Sequence, residues 1–555
     1  MRARNLLVAA VVILLTLLGY WIFPGHTYLQ SDTQIYLPIL EHRWDASVLG
    51  NDLLAREPHV SFTIYDEVAV ALRGLTGWGF RDVLTLEQLV FRALGLWGVF
   101  LLAGALKLGT RPALLVTALV ALGATIAGPT VLSLEYEPVP RGFAVPLLLL
   151  ALGLAAQGRD LGAGIAAALA FLYHPATVYP FWLAYFCLTL CPAPPAVMKR
   201  RIWGLLPIGC GVAALFLLSR LQTGVGEPQA FFARIDPSLE QLQRLRAPYN
   251  WISTWDPRWI RHYVLLWLVG LAAFWRVRKS ASQDLKFLIV GLPTVSVLSM
   301  PLSYLLLEKL KWSLIPQVQP MRALLFVTVM AEILSAVAAA QAAGQKRWWE
   351  SFLWLLPALA IPVHTRVLDV LLPDLSNPLI RRRVLLILLL AALAVAALLA
   401  EHLRPRWPRW ALWTVAVSAP LLLIPTAGKV VNYPTLDNPE LQALASWARS
   451  STPKAAMFLF PDAGRQLYPG IFRAQALRAV YTDWKSGGQV NFLKVFARGW
   501  WPRWQQTMAG KFQPEKVAYY KTLGIDYLVV LPGNRLPGRS PVYENSRFLV
   551  YVAQQ

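Results

Sequence analysis

Acidic residues are scarce in this chain. Asp and Glu together number 30 against 52 Lys and Arg, and charged residues of both signs make up only 15% of the 555 positions. A soluble domain carries about 25%, so this is not an ordinary water-soluble globule. Cysteine is scarcer still: Cys187, Cys191 and Cys210 are the three. An odd number gathered in one apolar stretch argues against a disulfide framework. Cys187 and Cys191 lie four apart without a neighbouring His or acid, and they read as small buried apolar residues rather than metal ligands. There is no Walker loop, no GxSxG, no HExxH and no paired CxxC. Nucleotide hydrolysis, serine hydrolysis and zinc catalysis therefore have no motif to stand on. No internal repeat is visible, and no low-complexity tract apart from the apolar runs.

What the chain has is hydrophobic length. Apolar residues account for 56% and the mean hydropathy is +0.48. Runs of roughly 17–25 residues, each long enough to cross a bilayer, recur as far as residue 428. Hydropathy windows give about thirteen candidate spans: 5–23, 89–107, 112–128, 142–157, 161–173, 179–191, 202–220, 259–275, 287–307, 323–343, 349–364, 384–400 and 411–428. The first, preceded by Arg2 and Arg4, lacks a small-x-small cleavage site and is expected to remain as a helix. The pair within 161–191 is short and broken around His174-Pro175. It reads as two short spans or as a re-entrant hairpin, which is tolerated where protein covers the backbone.

The formal net charge of +22 would suggest nucleic acid in a soluble protein. Here the basic residues sit in short loops between apolar runs, which points to orientation and contact with anionic lipid headgroups, with no nucleic-acid partner. Lys107, Arg111, Lys199 to Arg201, Arg276 to Lys279, Lys346, Arg347, Arg404, Arg406 and Arg409 all fall on the side of the N-terminus, which the positive-inside rule makes cytoplasmic. Arg381 to Arg383 fall on the other side. If 349–364 did not span, the C-terminal part would be cytoplasmic as well. Many of the 23 tryptophans lie at the ends of runs, as membrane-interface residues do.

Three external segments stand out: 24–88, 221–258 and 308–322. The first contains amphipathic stretches near 33–42 and 62–74, and the second a surface helix from Pro237 to Arg246. From residue 429 to 555 the composition turns water-soluble. A helix is expected over Asn438 to Ser450 and a buried strand over Ala455 to Phe460. A helix ending at Gly524, a strand over Ile525 to Leu531 and a closing hairpin over Val542 to Val552 complete a small α/β domain.

Several polar groups sit where chemistry at a membrane surface would need them. Asp32 follows the first span by a few residues. It reads as a general base or acceptor-orienting carboxylate whose pKa low-dielectric lipid would raise, or as an N-cap of the helix starting at Thr33. Glu135 and Glu137, close to Arg141, read as a divalent-ion or phosphate site, or as a salt bridge within the loop. Arg322, after Gln317 and Gln319, reads as a phosphate clamp or as a snorkelling side chain. His174 is a functional candidate as an ionisable group within apolar sequence, or a structural residue at a helix break. The polar, glycine-bearing stretch Arg478 to Gly488, with Lys485, reads as a loop dipping toward the membrane site or as an ordinary strand-to-turn boundary.

The head, Ser31 to Pro38 with Trp44 to Asp52, and the tail, Leu523 to Val530 with Pro541 to Phe548, resemble the GT-C superfamily of integral-membrane glycosyltransferases. So does the arrangement of an acid just past the first span, a large first external loop, many spans and an α/β tail. The resemblance implies a polytopic α-helical membrane domain over 1–428 and an external domain over 429–555. The setting would be a bacterial inner membrane with a cytoplasmic N-terminus and a periplasmic tail. It further implies a polyprenyl-phosphate-linked sugar donor, a glycan, lipid or protein acceptor, and Asp32 as catalytic base. Glu135, Glu137, Arg141, His174, Gln319 and Arg322 would bind substrate. The first loop presents Ser31-Asp32 rather than a tandem acid pair, so Mg or Mn use is left open. A transporter or flippase of a lipid-linked or anionic substrate, and a non-catalytic scaffold of the same architecture, are the alternative readings.

Overall fold

Long apolar sequence dictates helix, because only a helix satisfies its own backbone inside lipid. The computed structural model describes residues 2–57, 63–126, 128, 131–221, 233–364, 367, 369, 373–400, 406–433, 436 and 438–553. Helix α1 spans Arg2–Trp21, α2 Thr33–Trp44, α3 Tyr65–Thr76, α4 Phe80–Ala105, α5 Thr110–Val120, α6 Pro140–Ala156, α7 Asp160–Tyr173, α8 Pro175–Leu190 and α9 Pro195–Leu221. There follow α10 Pro237–Arg246, α11 Pro257–Val277, α12 Gln283–Ser303, the short α13 Ile315–Val318, α14 Leu324–Gly344, α15 Trp348–Val363, α16 Pro378–Ala400 and α17 Arg406–Thr426. Among the described residues six helical stretches are long and apolar enough to cross a membrane: Phe80–Ala105, Pro195–Leu217, Pro257–Ser280, Gln283–Lys309, Ile315–Gly344 and Pro378–Ala400. Shorter apolar helices run alongside them. The chain is a multi-pass helical membrane protein.

Ile315–Gly344 is the central stretch, its apolar window wholly enclosed by protein. Helices α4 and α6 cross at a glycine contact. A Cβ on Gly153 would fall on the carbonyl of Gly98, and one on Gly98 on the backbone of Leu149 and Leu150. That close approach fixes the C-terminal half of α6 on α4, and nearer its head a Cβ on Gly95 would fall on Pro146 and one on Gly142 on Glu135. The stretch 161–191 forms two helices meeting at His174. The first long loop ends earlier than the expected residue 88. Phe80 to Gln88 join α4 because the apolar period already starts at Phe80, Val83 and Leu84, all buried. Its two amphipathic stretches are α2 and α3. Residues 222–232, in the second expected external segment, lie outside the described residues.

The C-terminal part carries α18 Pro439–Ser451, α19 Tyr468–Ala476, α20 Lys494–Thr507 and α21 Val517–Thr522. A two-stranded hairpin in the bundle loops, β1 Thr125–Ile126 with β2 Val131–Leu132, precedes them in sequence. The C-terminal strands are β3 Met457–Leu459, β4 Ala479–Val480, β5 Tyr527–Val530, β6 Tyr543–Glu544 and β7 Leu549–Val552, in the order β4-β3-β5-β7-β6. β3 pairs parallel with β4 and β5, and β7 antiparallel with β5 and β6. The helix over 438–450, the strand over 455–460 and the hairpin over 542–552 were legible in the sequence. Helices α19 and α20 and strand β4 were not.

Two faces follow from the connections. Asn432 and Tyr433, after α17, pack on Pro24 and Gly25 after α1, and Arg383 of α16 donates to the carbonyls of Gly428 and Lys429. Arg383 is thus on Asp32's face, as the sequence placed it. At the other ends of the helices Gln341 reaches the Leu106 carbonyl and Ser280, and Arg276 pairs with Glu350.

Candidate functional site

The site is built at the start of α2. Asp32 occupies the N-cap position, yet its side chain makes no capping hydrogen bond. Glu137, from the loop before α6, takes that role. Its Oε1 accepts from the amides of Gln30 at 2.7 Å and Ser31 at 2.6 Å, and its Oε2 from Thr33 at 3.0 Å. Burial pushes the Glu137 carboxyl up, while these amide donors pull it back. The loop carrying Glu137 is itself pinned. Gln88 and Arg92 of α4 donate to the Glu135 carbonyl, Tyr65 donates to Pro138 O at 2.8 Å, and the Thr27 amide donates to Tyr136 O at 2.8 Å.

Relieved of capping, the Asp32 carboxylate meets two cations. Its Oδ2 lies 2.5 Å from Arg141 Nη1 and its Oδ1 2.7 Å from Lys485 Nζ, with the side chain 20% exposed. Arg141 also reaches Glu135 through Nε at 2.5 Å. The expectation that low-dielectric surroundings raise the Asp32 pKa is therefore corrected. Burial does oppose the charge, but Lys485 and Arg141 outweigh it and hold the carboxyl well below the usual carboxylate range. Glu135 and Glu137 do not act as a pair. One binds Arg141 and the other caps α2, so their oxygens are already committed to protein donors. Among the described residues no three His, Cys, Asp or Glu gather as a metal site. The divalent-ion reading of this pair does not fit the structure.

Arg322 and His174 lie within electrostatic range of Asp32 and Arg141. The Tyr179 hydroxyl of α8 donates to Pro320 O at 2.7 Å, which ties the His174 break to the turn holding Arg322. Gln319 shapes that turn with φ +46°, a left-handed conformation that is uncommon for a residue with a side chain. Its Oε1 accepts from Arg322 Nε. Arg322 Nη1 and Gln319 Nε2 are buried without a hydrogen-bond partner among the described residues. His174 Nδ1 pairs with Thr177 Oγ1 at 2.8 Å.

Lys485 arrives from the far end of the sequence, and a buried ion network steers it. Arg473 of α19 binds Asp52 of the first loop at 2.7 Å and also Asp483. Asp52 Oδ2 accepts from the Val480 amide at 2.9 Å, and its Oδ1 from Leu54 and Ala55. Asp483 accepts from the Ser486 amide at 2.9 Å, and Trp500 Nε1 donates to the Asp483 carbonyl at 2.8 Å. Arg246 of α10 donates to the Trp484 carbonyl at 2.7 Å and stacks on the Trp484 ring. Sequence reasoning placed Lys485 in an ambiguous loop and passed over Arg473 and Asp483. The only signal was the run Asp483-Trp-Lys-Ser-Gly-Gly488, a polar turn between hydrophobic segments.

No protein-family model matches the chain, and no curated protein matches it. Among solved structures, ArnT from Cupriavidus metallidurans in the apo state is similar, with a TM-score of 0.50 and 12% identity over 99% of this chain and 98% of that one. The same protein bound to undecaprenyl phosphate aligns with a TM-score of 0.49, 12% identity and the same coverage. An oligosaccharyltransferase from Archaeoglobus fulgidus, in complex with Zn and sulfate, gives 0.41 and 13% identity over 95% of this chain and 68% of its own. Over nearly the whole chain the fold is similar to that of ArnT in the apo state.

Proposed function

We propose that the protein is a membrane glycosyltransferase that moves a sugar from a polyprenyl-phosphate-linked donor to an acceptor on the external face of a bacterial inner membrane. The observation that carries this reading is the Asp32 carboxylate, freed from capping by Glu137 and set between Arg141 and Lys485. The GT-C-like fold agrees with it. In this reading the donor phosphate enters among Arg141, Lys485 and Arg322, where the unpartnered Arg322 Nη1 is ready to donate. Charge-assisted hydrogen bonds there stabilise the leaving group. As the cations turn to the phosphate, Asp32 loses their pull and becomes a stronger base. The bond from the sugar's anomeric carbon to the phosphate oxygen breaks, its electrons leaving with the phosphate. The acceptor oxygen bonds to that carbon and yields its proton to Asp32. Glu137 and Glu135 position the cluster, and His174 and Gln319 line its approach.

In this reading all thirteen apolar helices cross the membrane, residues 1–428 form the membrane domain, and 429–555 form a periplasmic domain that supplies Lys485. The N-terminus is cytoplasmic. Transfer of radiolabelled sugar from a polyprenyl-phosphate donor by the purified chain in nanodiscs tests the proposal. Asp32→Asn should abolish transfer while the protein remains folded and monodisperse. Full transfer in that variant would remove Asp32 from the mechanism.

A further inference from the structure

A second basic site lies on the face opposite Asp32. Helix α6 leads there from Arg141 over 17 residues, about 25 Å at 1.5 Å per residue, close to the thickness of a bilayer core. Between the end of α6, the start of α7 and the first turns of α9 opens a pocket of about 410 Å3, whose lining includes Arg159, Asp160, Leu161, Lys199, Arg200 and Trp203.

Its charges are not balanced. Asp160 is buried and already held by Arg200 and by the Tyr185 hydroxyl at 2.7 Å. Arg200 and Arg201 also bind Asp284, at 3.0 and 2.8 Å. The floor is thus a fixed, neutralised network. At the rim Arg159 and Lys199 are exposed, and neither makes a side-chain hydrogen bond or ion pair with a described residue. Beside them the wall turns apolar toward the bilayer. Leu161 and Ile165 of α7 are 47% and 48% exposed, and Trp203 and Leu206 of α9 are 49% and 54% exposed. Two uncompensated cations over an apolar, Trp-edged groove match an anionic headgroup with hydrocarbon below it.

We propose that this pocket binds the phosphodiester headgroup of an anionic membrane phospholipid, with the acyl chains lying along α7 and α9. The phosphate sits between Arg159 and Lys199, and Trp203 marks the headgroup level. The site is separate from the Asp32 cluster and does not depend on what that cluster catalyses.

Native mass spectrometry of the full chain, released from micelles doped with phosphatidylglycerol or phosphatidylcholine, tests this. The parent protein should retain phosphatidylglycerol preferentially. Arg159→Ala with Lys199→Ala should cut that retention by about thirtyfold, the equivalent of roughly 2 kcal/mol for two cations. Arg278→Ala with Lys279→Ala, another basic pair on the same face, should leave it intact, and Arg159→Lys with Lys199→Arg should restore it. Arg159 and Lys199 hold no side-chain partner among the described residues, so the thermal midpoint should not move. Unchanged retention in the pocket variant, equal loss in the control pair, or displacement of phosphatidylglycerol by an equimolar polyprenyl phosphate would each overturn the assignment.

Discussion

Asp32 and Glu137 exchange the roles that their sequence positions suggest. Asp32 stands at a helix start and looks like its cap, while Glu137 sits beside Arg141 and looks like its ion partner. In the structure Glu137 does the capping from more than a hundred residues away, and Asp32 takes Arg141. A carboxylate accepting three amide hydrogen bonds is well satisfied, so Glu137 has little reason to leave, and Asp32 is left with cations alone. Lys485 is the larger of the two influences holding the Asp32 carboxyl down. Removing it should raise the Asp32 pKa. Lys485→Ala should therefore shift the acid limb of the transfer pH profile upward and lower the rate at neutral pH. A pH–rate series on the parent and the variant reads both, and an unmoved acid limb would show that Lys485 does not act through Asp32. Glu135 and Arg141 could be paired from the sequence because a short loop between spans holds them six residues apart, and Asp32 stood out by its place after the first span, but its contact with Arg141, 109 residues away, could not be read. Nor could that of Lys485, because its partner lies some 450 residues earlier, and no local pattern encodes such a contact.

Helices inside the bundle owe their existence to apolar length but their spacing to small residues. The ends of some apolar runs could be read to within a few residues, as at α6 and α8, whereas α4 begins nine residues before the expected span and α5 ends eight before it. Which runs touch could not, because every apolar face is alike to hydropathy. The α4–α6 crossing illustrates the point: Gly98 and Gly153 let two backbones meet, and that approach sets how closely α6, which carries Arg141 in its first turn, packs on α4. Gly153→Val has no space for its side chain. The overpacking should cost about 1–3 kcal/mol or more and displace Arg141 from Asp32. A lower thermal midpoint together with lost transfer would be the result, whereas a fully active variant with an unchanged midpoint would mean that the crossing is not close. Helices α2 and α19 also meet at a glycine, Gly470, where a Cβ would fall on the Gln34 side chain.

A buried charge network joins the first loop to the C-terminal part. Asp52 belongs to the first loop, Arg473 and Asp483 to the C-terminal part, and all three are essentially inaccessible to water. Breaking such a group by removing the shared cation leaves two buried carboxylates unpaired, at a cost of about 3–5 kcal/mol. Arg473→Met should lower the melting temperature sharply and detach Lys485 from Asp32. Protease sensitivity after α17 would report the separation, and a stable, protease-resistant variant would count against the network. The sign with pH follows from Asp483. Burial opposes its charge, but Arg473 prevails and its folded-state pKa lies below the unfolded one. Its stabilisation is complete above the unfolded carboxylate value of about 4 and disappears as the pH falls through the lower folded value. Thermal melts from pH 7 down to 3 should show the parent losing stability on the acid side, and Arg473→Met losing less.

The sequence by itself determined that the chain is a multi-pass membrane protein and which segments are helical, because lipid admits little else for long apolar runs. It also brought Glu135 and Arg141 together, because a short loop between spans leaves few alternatives. Only the tertiary structure decided which carboxylate caps and which stays free, that a lysine from the C-terminal part completes the cluster, and that a buried Arg473 holds it there. Those outcomes depend on contacts between segments hundreds of residues apart, whose free energies come from burial and charge pairing in the assembled fold and leave no local trace in the order of residues.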